Sequence, residues 1–260
     1  KLCYDRSLSV MAETLFSNYP ATTEIYTLSL HDALPIYILH QRPFRDSSLI
    51  LELLTRNHGR LAVMSRAGSS PKSKLKNALR PFQMLSIGWS GKGELPFLTG
   101  AEITQQNGPG LSGDALLSAV YINELLMRLL HKHDVHEEVF VLYQQVLSCL
   151  SEPGLIEICL RLFEKNLLRF LGFEMNLTTD ADSGELISSD KQYIYYIEHD
   201  PVELSASNRS ANQMIVDGSS LLAFAEDDLA VIEIRKQIKL LTRYVLGYYL
   251  GDKPDRKSVG

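Results

Sequence analysis

The chain has 260 residues, room for one large domain or two small ones around a substantial core. Hydrophobic residues make up 45% and charged residues 22%, an ordinary soluble composition that excludes low-complexity, collagen-like and disulfide-dense classes. No apolar run approaches the roughly 18 residues of a membrane span, and Asp5 and Glu13 interrupt any leader-like stretch behind Lys1 and Arg6. The expectation is a cytoplasmic protein without a membrane partner. Cys3, Cys149 and Cys159 show no paired spacing, which argues against a disulfide framework or a zinc knuckle and fits a reducing compartment.

Net charge is −5, but the charges are segregated. Residues 53–93 carry Arg56, Arg60, Arg66, Lys72, Lys74, Lys76, Arg80 and Lys92 and no acid, whereas residues 94–234 carry 7 basic and 23 acidic side chains. Mixed signs serve solubility, so a basic block beside an acidic one reads as a polyanion site with repelling neighbours.

Residues 1–36 hold no sustained period and are punctuated by Pro20 and Pro35, so they read as a poorly ordered segment. EIYTLSLHDALPI resembles a translated sequencing adapter, and the terminal DRKSVG has the same texture. Both ends therefore read as non-native sequence, and a deletion through residue 36 is expected to be harmless.

From Tyr37 the texture changes. YILHQRPF and SSLILELLT are apolar runs of strand length, and RLAVMSRAG follows a turn at His58-Gly59. A polar basic loop, GSSPKSKLKN, comes next, and FQMLSIGWS and ELPFLTGAEI flank a Gly91-Lys92-Gly93 hairpin signal. About five short strands in some 70 residues predict a small closed barrel of the OB type, over 37–110.

After Gly113 the period is helical. DALLSAVYINELLMRLLHK, HEEVFVLYQQVLSCLSE and LIEICLRLFEKNLLRFLGF predict three helices, with Asp114 at a cap and Pro153-Gly154 and Gly172 as stops. A short aromatic strand, Tyr193–Ile197, stands within loops over 176–220. DDLAVIEIRKQIKLLTRYVLGYYLG predicts a last helix with Asp227 and Asp228 in its first turn. The fold class is α+β: a five-stranded OB-fold barrel, then an all-α domain over 111–252 with a small irregular β insertion, then a tail over 253–260.

Lys and Arg on such a barrel neutralise phosphates without reading sequence. All eight basic residues of 53–93 are therefore candidate DNA contacts, and the bland alternative is a solvated turn. Phe44, Phe82, Trp89 and Phe97 could stack on bases or fill the barrel core. Trp89 is the favoured stacker because it sits by the Gly91–Gly93 hairpin. In HKHDVHEE, His131 and His133 would point about 200° apart on a helix, so they cannot chelate together and no metal is expected. Cys159, beside Leu155 and Leu162, reads as a core thiol. No nucleophile elbow, phosphate loop or dinucleotide fingerprint occurs, so no catalytic residue and no cofactor are expected.

Five segments stand in order: ILHQRPFRDSSLIL, GRLAVMSRAGSSPKSKLKNALRPFQML, YINELLMRLL, LRLFEKNLLRFLGFEMN and RYVLGYYLGDKP. Together they resemble the RecO family over residues 37–254. The resemblance implies an OB-fold joined to a helical domain, and a non-enzymatic DNA repair and recombination mediator associated with the nucleoid. It implies binding of single- and double-stranded DNA, annealing of complementary strands, and recombinase loading with RecR and single-stranded DNA-binding protein. Some members carry a four-cysteine zinc site after the LGF motif; here NLTTDADSGELISSD has no cysteine. The alternative is a general OB-fold RNA- or tRNA-binding module.

Arg161 and Arg169 lie eight apart on the third helix, a spacing of a little over two turns that predicts one shared face, with Leu160 and Phe163 beside them. The bland reading is pairing with Glu157 or Glu164. The functional reading is a carboxylate site beside an apolar groove. The resemblance assigns it to the acidic C-terminal tail of single-stranded DNA-binding protein, with Arg161 at the family's contact position.

Overall fold

In a computed structural model of the chain, the described residues are 34–45, 48–66, 78–91, 93–104 and 109–251. They divide into two compact units, one running to Ser151 and one beginning at Glu152. The residues expected to be disordered or non-native, 1–33 and 252–260, lie outside the described residues, as do Lys72, Lys74, Lys76 and Lys92.

The first unit opens with five strands: β1 (Leu34–Phe44), β2 (Ser48–Thr55), β3 (Gly59–Ser65), β4 (Leu85–Ser90) and β5 (Phe97–Ile103). They close into a barrel in the order β1-β2-β3-β5-β4. β1 pairs with β4 to complete the circuit, and only the β3–β5 contact is parallel. This is the five-stranded OB arrangement. Alternation drives it: Ile36 and Ile38, Leu51 and Leu53, Leu61 and Val63, and Leu85 and Ile87 point inward at period two. Leu79 joins this cluster, and Leu49, Trp89, Leu98 and Ala101 pack on it.

β1 begins three residues before the boundary expected at Tyr37. Pro35 lies one residue into the strand, opposite Ser86, a position at which a missing N–H is tolerated. Ile36 is fully buried in the barrel. A deletion through residue 36 would therefore cut into the core, contrary to expectation.

Two helices follow in the same unit, α1 (Gly113–Leu129) and α2 (Glu137–Leu150). Asp114 lies in the first turn of α1, while Ser112 is the N-cap and makes no side-chain cap bond. The helices lie against the outer face of β1. Tyr37 meets Phe140 at 5.5 Å and Tyr143 edge-on at 4.9 Å. Tyr143 donates to Asn123 Oδ1 (2.7 Å), and Asn123 Nδ2 donates to the Leu39 carbonyl (2.8 Å). Burial, with Tyr37 beside it, pushes the Tyr143 hydroxyl well above its ordinary pKa, so it stays a donor.

The second unit contains α3 (Ile156–Phe170), β6 (Gln192–Tyr196), β7 (Asp200–Glu203), β8 (Ile215–Asp217), α4 (Gly218–Ala225) and α5 (Ile232–Tyr249). The strands form an antiparallel sheet in the order β7-β6-β8. The single aromatic strand expected here is thus the centre of three, followed by an unforeseen helix. α5 starts at Ile232, so Asp227 and Asp228 precede it instead of occupying its first turn. Asp227 has φ +59°, and Asp228 accepts from the Ala230 N–H. No helix among the described residues is long and apolar enough to cross a membrane.

Cys149 and Cys159 are both fully buried and both disulfide-bonded, against the expectation of unpaired core thiols. Disulfide formation depends on the approach of Cα atoms in space, which sequence spacing does not report.

Candidate nucleic-acid interface

A bulge in β1 decides which part of the barrel is open. Pairing shifts between Ile38 and His40, leaving Leu39 without a β2 partner. Before the bulge, Tyr37 lies on the outer face beneath α1 and α2. After it, His40, Arg42 and Phe44 stand opposite Glu52, Ile50 and Ser48. Leu49, Leu51 and Leu53 face the core, so their alternates and the residues opposite those alternates face outward. Residues His40, Gln41, Arg42 and Pro43 are exposed.

Register carries a row from this face across the barrel, in which Ile50 is only 4% exposed. Arg42 pairs with Ile50, Ile50 with Met64, and Met64 with Phe97. One row across four strands therefore carries a guanidinium, two apolar side chains and an aromatic ring. Phe97 is 38% exposed, and the Arg66 guanidinium lies 4.6 Å from its centroid. At the end of β1, Arg45 lies 5.3 Å from the Phe44 centroid. A cation over an exposed ring is attracted by its quadrupole, and such a pair can meet a phosphate and a base together.

The eight basic candidates separate on this frame. Arg66 and Arg80 are exposed. Arg56 donates from Nε to Glu137 Oε1 at 2.6 Å. Arg60 reaches Glu52 Oε2 at 3.2 Å and the Leu130 carbonyl at 3.1 Å, with only 13% of its side chain exposed. Those two arginines hold the β2–β3 hairpin to α1 and α2. The acid-free count over 53–93 missed the carboxylates of Glu52, which adjoins that window in sequence, and Glu137, which is far from it in sequence but beside it in space. Trp89, the favoured stacker, instead packs against the barrel core, with His58 edge-on at 5.5 Å. Phe97, which was also a stacking candidate, is 38% exposed. The signal for Arg42 and Arg45 was their place on β1 beyond the bulge and just past its end, which composition does not show.

In the second unit, α3 places its arginines differently from one another. Arg161 is 4% exposed and bonds Glu164 at 2.7 Å, while Glu164 is itself fully buried. Arg169 is exposed, with its guanidinium 4.9 Å from the Phe170 centroid. Eight residues leave an offset of about 80°, enough to put one side chain inside and the other outside, so they do not share a face. Phe163 is fully buried and offers no surface, and Leu160 is half-buried. Arg161 Nε and Nη1 are buried and have no hydrogen-bond acceptor.

The histidine segment supplies contacts between elements. The His133 N–H donates to the Arg60 carbonyl, and His136 Nε2 lies 3.1 Å from Asp134 Oδ2. Among the described residues, no group of three or more His, Cys, Asp or Glu side chains is placed to hold a metal ion.

The architecture is thus an OB-type barrel with an open cationic and aromatic face, followed by a helical region that contains a small sheet. Comparison with known proteins identifies the family. Residues 34–107 match the family described as recombination protein O N terminal, and residues 111–258 match recombination protein O C terminal. A DNA repair protein RecO of Nitrosospira multiformis is 40% identical over 223 residues, 86% of this chain and 91% of its own. The RecO of Dechloromonas aromatica is 40% identical over 225 residues, covering 85% and 91%. That of Coxiella burnetii is 40% identical over 222 residues, covering 85% and 93%. The chain belongs to the recombination protein O (RecO) family. The family boundary falls between 107 and 111, whereas packing assigns α1 and α2 to the barrel unit and divides the chain after Ser151.

Proposed function

We propose that this chain is a non-enzymatic DNA repair and recombination mediator that binds single- and double-stranded DNA through the open face of its barrel. The relatives' shared name, DNA repair protein RecO, supports the repair role. The observation that carries the binding site is the Arg42–Ile50–Met64–Phe97 row with Arg66 over its exposed ring. In this reading Arg42, Arg45, Arg66 and Arg80, with Lys72, Lys74, Lys76 and Lys92, meet phosphates. Phe97 stacks on an unpaired base. The contacts read no base edge, so binding is independent of sequence and suits annealing of complementary strands.

The deciding experiment is fluorescence anisotropy on single- and double-stranded oligonucleotides. Phe97→Ala is expected to weaken single-strand binding by about 1–3 kcal/mol and duplex binding much less, since a paired base is already stacked. Arg66→Glu is expected to weaken both. Unchanged binding in both variants would remove this face from the reading. An RNA- or tRNA-binding module would prefer RNA in the same assay.

The same reading joins the chain to RecR and to the acidic tail of single-stranded DNA-binding protein in loading recombinase. Arg161 supports a tail site because its two unsatisfied donors suit a carboxylate, and Arg169 supplies an exposed charge on the same helix. Calorimetry with the tail peptide tests it. Arg169→Ala should weaken binding while leaving the fold intact, and an unchanged affinity would place the tail elsewhere.

A further inference from the structure

The far end of α5 carries an aromatic surface with no basic role assigned to it. Phe173, 39% exposed, stacks on Tyr249 with centroids 4.1 Å apart and planes at 23°. Tyr249 in turn meets Tyr248 edge-on at 5.3 Å, and Tyr248 is 44% exposed. Soluble proteins rarely leave adjoining aromatic faces open without a use. The charged groups that act on the two tyrosines are acidic. The exposed Glu198 carboxylate lies close enough to act on Tyr248, and Asp200 close enough to act on Tyr249. Glu198 raises the Tyr248 pKa, and the groups that raise Tyr249 beyond its burial are Glu198, Tyr248 and Asp200. No cation among the described residues stands over these three rings, although four other rings of the protein have one.

We propose that Phe173, Tyr248 and Tyr249, with Glu198, form a docking surface for an arginine-bearing segment of a partner protein. Arginine is the occupant that the chemistry favours. A planar guanidinium lies flat on an aromatic face, is weakly hydrated, and presents a fork of donors that a carboxylate accepts bidentately. An acidic peptide or nucleic acid is repelled here by Glu198 and Asp200, the charged groups that act on the two tyrosines. The surface is therefore opposite in charge preference to the barrel face and independent of it.

The test uses the full chain and a fluorescent alternating glycine–arginine heptapeptide, with a citrulline version as the neutral control. Tyr248→Ala and Glu198→Gln should each weaken arginine-peptide binding roughly three- to tenfold, as expected for one cation–π contact or one charge-assisted pair. Tyr248→Phe, which keeps the ring, should bind within about twofold of the parent, and Glu124→Gln on α1 should bind like the parent. Circular dichroism establishes that each variant is folded, and Glu198→Gln alters only an exposed side chain. Parent-like affinity in both Tyr248→Ala and Glu198→Gln would overturn the proposal, as would equal binding of the citrulline peptide. A rise in affinity on deleting residues 252–260 would make the occupant this chain's own end. Self-association abolished by Tyr248→Ala would make it a second copy. Either result replaces the partner protein proposed here.

Discussion

Asp180 organises the loop between α3 and β6 with one carboxylate. Its Oδ1 accepts from the N–H groups of Asp182 and Ser183 and from the Ser183 hydroxyl, and its Oδ2 accepts from the Glu203 N–H at 2.6 Å. Burial alone would raise its pKa, but these donors outweigh it and hold the carboxyl below the usual aspartate value. The linkage sign follows. A depressed folded-state pKa contributes stability that is present above the unfolded value and is lost as pH falls through the folded one. Asp180→Asn keeps one oxygen and turns an NH2 toward a donor, so it should cost about 1–3 kcal/mol at neutral pH. Below about pH 4 the difference in melting temperature from the parent should shrink. A constant difference from pH 7 to pH 3 would show that the carboxylate's charge is not what matters. Nothing in TTDADSGEL marked this aspartate above its neighbours: the turn chemistry was legible, but the long-range bond to Glu203 was not.

At the scale of elements, the strands and helices that alternate or repeat cleanly were legible, because period two and period 3.6 report burial directly. β7 and β8 were not, since four and three residues cannot display a period. The missed start of α5 has a particular cause. Arg235 Nη1 donates to the carbonyls of Leu229 and Ala230, holding a non-helical turn where the sequence suggests acidic first-turn residues. α3 shows the limit of spacing arguments at a site. Truncating Arg161 leaves Glu164 buried without its cation, so Arg161→Ala should cost about 3–5 kcal/mol of stability by denaturant titration. The double change Arg161→Leu with Glu164→Leu should cost far less, since it removes both charges together. Equal losses would mean the ion pair is not the source of the effect. Gly59 makes the parallel point for the β2–β3 hairpin. Its φ is +63°, and a Cβ there would lie 2.0 Å from the Asp134 carbonyl oxygen. Gly59→Ala should therefore destabilise by more than about 2 kcal/mol in the same titration, through backbone strain and a clash with rigid main chain.

Over the whole molecule, charge segregation directs the binding reading to the barrel, but two of its eight cations are paired within the protein. Arg56 and Arg60 belong to the basic block by sequence and to the barrel–helix joint by structure, where Glu137 and Glu52 hold them. Arg42 and Arg45 fall outside the block by sequence and on the open face or at its edge by structure. The two accounts make different predictions for salt dependence. If about four to six cations meet the phosphates of a single strand, log affinity should fall against log salt with a slope near −3 to −4, at roughly −0.7 per contact. Each phosphate-contacting residue lost should flatten the slope by about that increment on every sequence. Arg42→Gln and Arg66→Gln should each do so, whereas Arg56→Gln should leave the slope unchanged because its charge is already paired. Lys72→Glu, Lys74→Glu and Lys76→Glu together should flatten it most. A slope that responds to Arg56→Gln as strongly as to Arg42→Gln would mean that the basic block binds as a block. The face selected by the β1 bulge would then have no special part in holding DNA.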